Sequence, residues 1–386
     1  MKTIRFGIIG CGLMGREMAS AAARWHHLTD CGTRPEIVAI CDRRFVTADC
    51  EEVRWFTENI ATVRQVTADY RELMANPGVE AVYCAVPHHL HREICVSVLD
   101  AGKHLLGEKP FGIDRPANEA ILDACRRQPG CLVRCSSEFP FFPAVQRLGA
   151  MIEEGAFGRI IEANAGFLHS SDLDPEKPVN WKRMIEFNGE YGCMGDLGMH
   201  VCHVPFRAGW QPRDVRAVLS NIVSERPDGK GGRAPCLTWD NATLLCRTVD
   251  PGSGSEFPWI LKMQRIAPGE KNTWYLEILG TRACARFSTK NPKLLQVLEY
   301  RMHQQEWRHI DTGYEPAFGS ITGGIFEFGF PDAILQMFAA FLHELEHGRP
   351  LKKFAGCVTP EETALSHQVF TAALESHREG RTVGLD

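Results

Sequence analysis

Residues 4–15 read IRFGIIGCGLMG, and this short stretch decides the first half of the chain. The run 4–9 is apolar, the mark of a strand buried on both faces, and glycines stop it. Residues 14–25, rich in Ala and Met, then read as a helix. Between the two, Gly10, Gly12 and Gly15 form GxGxxG. Gly10 permits the tight turn, Gly12 lets the backbone approach a pyrophosphate, and Gly15 lets helix and strand pack closely. The unpaired N–H groups of the helix start, at Leu13 and Met14, face the phosphates. Glycines often only make turns, but a strand before and a helix after is the context that a dinucleotide fingerprint requires.

Outward from that turn, strands and helices alternate. Strands are expected at 36–41 (EIVAIC), 79–86, 104–107 and 132–135, and helices at 69–74, 90–101 and 116–127. Asn76-Pro77-Gly78 and Pro87 break the chain, and Gly102 fits a helix C-cap. Apolar strands alternating with helices predict a parallel sheet covered on both faces, a Rossmann domain. Asp42 ends the second strand, where a carboxylate accepts hydrogen bonds from the adenosine ribose and repels a 2′-phosphate. That favours NAD over NADP. Arg43 and Arg44 follow and weaken the preference, because arginine can hold that phosphate; a solvated loop carboxylate is the plainer reading of Asp42.

The chain has 386 residues, enough for two domains, and the alternation ends at residue 135. Residues 1–135 read as the NAD-binding domain and 136–386 as a substrate-binding and oligomerisation domain. Hydrophobic residues are 44% and charged residues 24%, the balance of a globular protein. A net charge of −5 argues against a nucleic-acid surface, and the lack of 18 consecutive apolar residues argues against a membrane span. The 15 cysteines are scattered without a CxxC pair, which suits free thiols in a reducing cytoplasm rather than a zinc ribbon or a thioredoxin motif. With a core strand already at 4–9, no secretory leader is expected.

The second half is richer in strands. They are expected at 159–170, 215–223, 242–248, 259–266, 274–279, 283–287 and 294–300, joined by Gly- and Pro-rich turns such as 226–232. The series predicts an open, mostly antiparallel sheet with helices, so the fold class is α/β followed by α+β. A half-apolar sheet needs a cover, and one face is expected to meet another subunit in a homo-oligomer. Thr359-Pro360-Glu361-Glu362 is a capping box that starts a last helix.

Oxidising a secondary alcohol needs a hydride acceptor, a group that takes the hydroxyl proton, and positive charge near the oxygen. Most isolated lysines are solvated, but Lys109 lies between a buried strand and a proline, at the sheet edge where ligands of open α/β sheets bind. Asp196 and His200, four residues apart, share a face if helical, and an imidazole suits a general base near neutral pH. Histidines bonded within a helix start are the plain alternative. His203 follows one turn later. Three ligands on one helical face converge poorly, so no metal is expected. His343-Glu344-Leu345-Glu346-His347 spells HExxH, but it ends an amphipathic helix and no third ligand follows at metalloprotease spacing.

The segment GKHLLGEKP at 102–110, taken with the Gly10 turn, resembles the glucose-fructose oxidoreductase / inositol dehydrogenase / MocA-like family. VPHHLH at 86–91 and GDLGMH at 195–200 add to the likeness. The resemblance implies NAD-dependent hydride transfer at a sugar or polyol carbon, Lys109 as a functional lysine, and Pro87, His88, His91 and Glu108 around the cofactor. It assigns Asp196 and His200 to substrate contact and proton transfer, and it has the last helix return toward the first domain. Trp181, beside Lys182 and Arg183, suits a sugar bearing an anionic group; a snorkelling surface pair beside a packed tryptophan fits equally well. Phe139-Pro140-Phe141-Phe142 departs from the family, which carries Arg or Tyr there.

The chain is also similar to the family's NAD-dependent glycosidases, sulfoquinovosidases among them, in 190–203 and 323–337. Such enzymes oxidise C3, remove the C2 proton, expel the C1 substituent, add water and reduce C3 again. Glu190, Tyr191 or His203 is the candidate C2 base, with Tyr191 and His203 also placed at the sugar. A net sugar or polyol dehydrogenase is the alternative. A non-catalytic NAD-binding regulator ranks last, since Lys109 and His200 are both present.

Overall fold

A computed structural model describes residues 1–44, 50–301, 304–313 and 315–385. The N-terminal stretch forms β1 (Lys2–Ile9), α1 (Leu13–Ala23), β2 (Thr33–Cys41), α2 (Glu51–Asn59), β3 (Gln65–Thr67), α3 (Tyr70–Ala75), β4 (Ala81–Cys84), α4 (His91–Asp100), β5 (His104–Gly107), α5 (Arg115–Arg127) and β6 (Val133–Cys135). Then come α6 (Pro143–Glu153), β7 (Ile160–Leu168), α7 (Ile185–Asn188), α8 (Cys193–Ala208), β8 (Gln211–Ser220), β9 (Glu225–Pro227) and β10 (Arg233–Pro235). The remainder forms β11 (Asn241–Val249), β12 (Glu256–Gln264), β13 (Thr273–Gly280), β14 (Ala283–Ser288), β15 (Leu294–Glu299), β16 (Trp307–Asp311), α9 (Phe330–His347), α10 (Pro360–Glu379) and β17 (Val383–Gly384).

The chain divides into two compact units, each made of two segments: Met1–Phe141 with Pro316–Glu361, and Phe142–Glu315 with Glu362–Asp386. The single cut expected after residue 135 is therefore too simple. The helix belonging to the first unit is α9, and nearly all of α10 belongs to the second. The reason is apolar burial. Phe338 of α9 packs edge-on against Phe6 at 4.9 Å and Trp25 at 5.6 Å, which would otherwise be uncovered core.

In the first unit six parallel strands run in the order β3-β2-β1-β4-β5-β6. The order reverses beside β1, the switch point where open α/β sheets bind ligands. The expected strand 79–86 shortens to β4, and Val86-Pro87 leaves the sheet as a loop. The sequence reading passes over α2 and β3. Only Val53 and Phe56 are buried in α2, and β3 is a three-residue edge strand, so neither carries a strong apolar pattern.

The second unit holds a nine-stranded sheet in the order β16-β15-β14-β13-β7-β12-β11-β8-β17. Among the described residues only β7 and β12 pair in parallel; the other neighbours are antiparallel. Alternate residues of β11 are buried and exposed, as expected for a sheet with one covered face. Helix α8 packs on the covered face, against β7 and β12. The other face leaves Val218 and Leu245 half exposed.

Candidate functional site

Each unit carries one group of site residues. In the first, the glycine turn joins β1 to α1. Gly10 has φ +98°, and a Cβ there would meet the Ala85 carbonyl oxygen at 2.2 Å. A Cβ on Gly15 would strike the Gly10 oxygen at 2.1 Å. A Cβ on Gly12 would meet nothing within 4 Å. Two glycines thus serve close packing, and the third keeps backbone open beside the helix start, with Leu13 largely exposed and Met14 half-buried. This cradle fits a pyrophosphate.

Asp42 follows β2, and its Oδ2 accepts from the Cys11 N–H of the turn at 2.9 Å. Arg44 fills the rest of the carboxylate, through its backbone N–H (3.0 Å), Nε (2.9 Å) and Nη2 (2.8 Å). Burial works to raise this carboxyl's pKa, but the bonds from Arg44 and Cys11 outweigh it and hold the pKa below its usual value. Those four donors match the roughly four acceptor sites of a carboxylate, so a ribose hydroxyl has to displace one of them. Arg44 also holds Glu52 at 2.7 Å, while Arg43 is exposed.

At the ends of β5 and β6 lies a buried acidic pair. Glu108 Oε1 accepts from Tyr83 Oη at 2.6 Å and Ser136 Oγ at 2.5 Å. Burial, reinforced by the charge of Glu108, pushes the Glu138 carboxyl up to about 8. Lys109 is half-buried beside this pair, and its peptide bond to Pro110 is cis. His91 Nε2 bonds the Val86 carbonyl at 3.0 Å, and its Nδ1 accepts from the Gly112 N–H at 3.3 Å. The ring therefore braces the loop after β4 against the loop after Pro110. Buried His88 packs 5.5 Å from it, next to Pro87.

In the second unit Asp196 and His200 sit on α8, almost wholly buried and one turn apart. Lys182 Nζ bonds both Asp196 oxygens, at 2.9 and 3.1 Å, and Arg265 bonds Asp196 as well. Arg265 also donates to Asp172 at 2.9 Å and to Ser171 Oγ at 3.2 Å. Lys177 reaches Asp172 at 2.9 Å. Asp172 and its neighbours thus form one network, in which the cations overcome burial and hold the Asp172 carboxyl well below its usual range. The His200 ring packs against Phe167 at 5.5 Å, and its carbonyl accepts from Trp274 Nε1 at 2.9 Å.

Several expected residues stand elsewhere. Arg183 is no surface cation: it is completely buried and bonds Asp240. Lys182 and Trp181 remain half-buried, with the ammonium 5.7 Å from the ring centroid. His203 lies two turns beyond Asp196, about 10 Å along the helix. There it faces Glu362 at 3.8 Å rather than the Asp196 cluster, and burial drops its pKa to about 3. Tyr191 is buried against α10, its hydroxyl 2.7 Å from Thr371 Oγ1. Glu190 is exposed and pairs with Arg378 at 2.6 Å. In the HExxH segment His343 and His347 stack on each other at 4.2 Å, and Glu344 is taken by Arg134.

The reading missed Arg265, Asp172, Asp240 and Glu138. A signal existed for two of them. The buried series of β12 is Phe257, Trp259, Leu261 and Met263, and the next inward position is Arg265. That of β11 is Ala242, Leu244, Cys246 and Thr248, and the inward position before it is Asp240. A charge at the end of an inward-facing apolar series marks a buried partner.

Residues 4–135 match the family model described as oxidoreductase family, NAD-binding Rossmann fold. The levoglucosan dehydrogenase of Pseudarthrobacter phenanthrenivorans is 27% identical over 338 residues, covering 81% of this chain and 80% of its own. A solved levoglucosan dehydrogenase, in complex with NADH and L-sorbose, superposes with a TM-score of 0.85 at 25% identity over the full length of both chains. The 2,7-anhydro-N-acetylneuraminate hydratase of Mediterraneibacter gnavus is 24% identical over 228 residues, 58% of this chain and 54% of its own. A glycine cradle that fits a dinucleotide, the matched family model and a two-sheet architecture shared with levoglucosan dehydrogenase agree: residues 4–135 form an NAD-binding Rossmann domain of the GFO/IDH/MocA oxidoreductase type, and the chain as a whole is similar to sugar dehydrogenases of that type.

Proposed function

We propose that this enzyme acts on a sugar at a secondary carbinol, and that it hydrolyses a glycoside by temporary oxidation rather than completing a net dehydrogenation. The carrying observation is the ionic network around Asp196. Among the described ion pairs four cations, Lys177, Lys182, Arg183 and Arg265, stand against three carboxylates, Asp172, Asp196 and Asp240. Such an excess suits a sugar with an anionic substituent, for instance a sulfonated hexoside.

Gly10, Gly12 and Gly15, with Leu13, Met14, Asp42, Arg43, Pro87, His88, His91 and Glu108, are assigned to holding NAD. Bound NAD supplies the hydride acceptor for the carbinol carbon and later the donor. Lys109 places positive charge at the carbinol oxygen and His200 takes its proton, while Asp196, fixed by Lys182 and Arg265, orients the hydroxyl. Trp181 offers the sugar an apolar face. With C3 as a ketone the C2 proton is acidic; its loss expels the C1 substituent, water adds there, and C3 is restored. A hydratase among the relatives favours chemistry without net oxidation.

A 4-nitrophenyl glycoside carrying a C6 sulfonate, incubated with catalytic NAD, is expected to release nitrophenol without accumulating NADH. Stoichiometric NADH without nitrophenol overturns this in favour of a net dehydrogenase, the reading that the levoglucosan dehydrogenase relatives favour. Lys109→Ala should bind NADH yet lose turnover; retained turnover removes Lys109 from the reaction. A second copy over the open sheet face completes the proposal, and a monomer by light scattering removes that part.

A further inference from the structure

Three neighbouring strands of the second unit end their inward-facing series in polar residues. On β7 the series is Ala163, Ala165 and Phe167, and the next inward position is His169. Strand β7 pairs in parallel with β12, Leu168 opposite Gln264, and the His169 N–H continues the ladder to the Gln264 carbonyl at 2.7 Å. His169 therefore stands beside Arg265, on the face that α8 covers. Its ring centroid is 4.6 Å from that of Phe167, which also lies 5.5 Å from the His200 ring. Two imidazoles flank one phenyl ring, next to the Arg265–Asp196 pair. His169 keeps part of its surface accessible, whereas His200 is 5% exposed.

We propose that His169 is the second proton-transferring residue of this site, the base that acts on the sugar carbon adjacent to the oxidised carbinol. The assignment rests on the glycosidase reading above. It replaces the bases expected from the sequence, because Glu190, Tyr191 and His203 all face other partners.

C3 has become a ketone by transfer of its hydride to the nicotinamide cofactor. His169 takes the C2 proton, and the C2–H electron pair forms the C1=C2 bond as the C1–O bond breaks. The aglycone leaves with the C1–O bonding pair and is protonated by water. The hydroxyl of that water adds at C1, His169 returns its proton to C2, and C3 takes back its hydride while His200 returns to its oxygen the proton removed in the oxidation.

The test holds the enzyme with NAD⁺ and the methyl glycoside of a 3-keto-6-sulfonated hexose in D₂O, and follows the C2–H signal by proton NMR. NAD⁺ cannot reduce the ketone, so proton exchange is read apart from redox turnover. The unmodified enzyme is expected to exchange C2. His169→Asn and His169→Gln are each expected to slow exchange by about 100-fold or more, the loss of one general base, with NADH affinity by fluorescence unchanged. Exchange at the unmodified rate in either variant that still binds NADH overturns the assignment alone. No C2 exchange by the unmodified enzyme removes the assignment and the glycosidase reading together.

Discussion

The glycine turn of the first unit and the ionic network of the second place their polar groups by opposite means. At Gly10–Gly15 the backbone is the functional surface, and every residue of the turn lies within six positions of sequence. Around Asp196 the surface is made of side chains, and the partners Lys182, Asp196 and Arg265 are 14 and 69 residues apart. A backbone site depends on what is missing from it, a Cβ. A side-chain network depends on every member being present, since each buried charge is tolerable only while its partners stay.

The largest effect should therefore come from the network. Arg183→Met leaves Asp240 buried without its guanidinium, and a loss of about 3–5 kcal/mol in urea unfolding is expected. A loss too small to resolve would mean that solvent reaches the cluster and that the contrast is wrong. In the turn the glycines should divide. Gly15→Ala forces a methyl against the Gly10 oxygen and should cost about 1–3 kcal/mol. Gly12→Ala should keep its melting temperature and instead weaken NADH binding about tenfold, or roughly 1.4 kcal/mol. Destabilisation by Gly12→Ala would break the division.

Proton linkage should pull the units in opposite directions. Glu138, held near 8 against an ordinary 4.5, keeps a proton in the native chain that the unfolded chain releases. Its contribution is full below pH 4.5 and is lost as pH rises toward 8, at up to about 1.4 kcal/mol per pH unit. Glu138→Gln should flatten that alkaline loss. His203, held near 3 against 6.5, stays neutral while the unfolded chain takes up a proton. Stability is then full above pH 6.5 and falls as pH drops toward 3, and His203→Gln should flatten the acid side. Urea midpoints across pH 4–9 report both. The smallest effect belongs to the surface: Glu190→Gln removes an exposed pair with Arg378 and should change stability by less than about 0.5 kcal/mol.

The same contrast explains what could be read in advance. The parallel sheet, the glycine turn and Asp42 were legible because each depends on a local pattern or on a neighbour in the strand order. The site on α8 was legible only as far as the helix itself, through the four-residue spacing of Asp196 and His200. Arg183 looked like a sugar contact or a surface cation because nothing in WKR announces Asp240, 57 residues later. His203 looked like part of the Asp196 face because α10, which covers it, arrives from the far end of the chain. Arg265 and Asp240 could have been found as charges closing inward-facing apolar series; Asp172, in a loop, offers no such periodicity.

The split of each unit into two segments bears on how the polypeptide emerges from the ribosome. When residue 141 has been made, the six parallel strands exist but α9, which covers Phe6 and Trp25, is almost two hundred codons away. The nascent Rossmann sheet must wait with an apolar flank bare while the whole of the second sheet is translated. Excising 1–141 as a stand-alone nucleotide-binding module would make that interim state permanent; a gene fusion joining 1–141 to 316–361 by a short linker is the fragment to express.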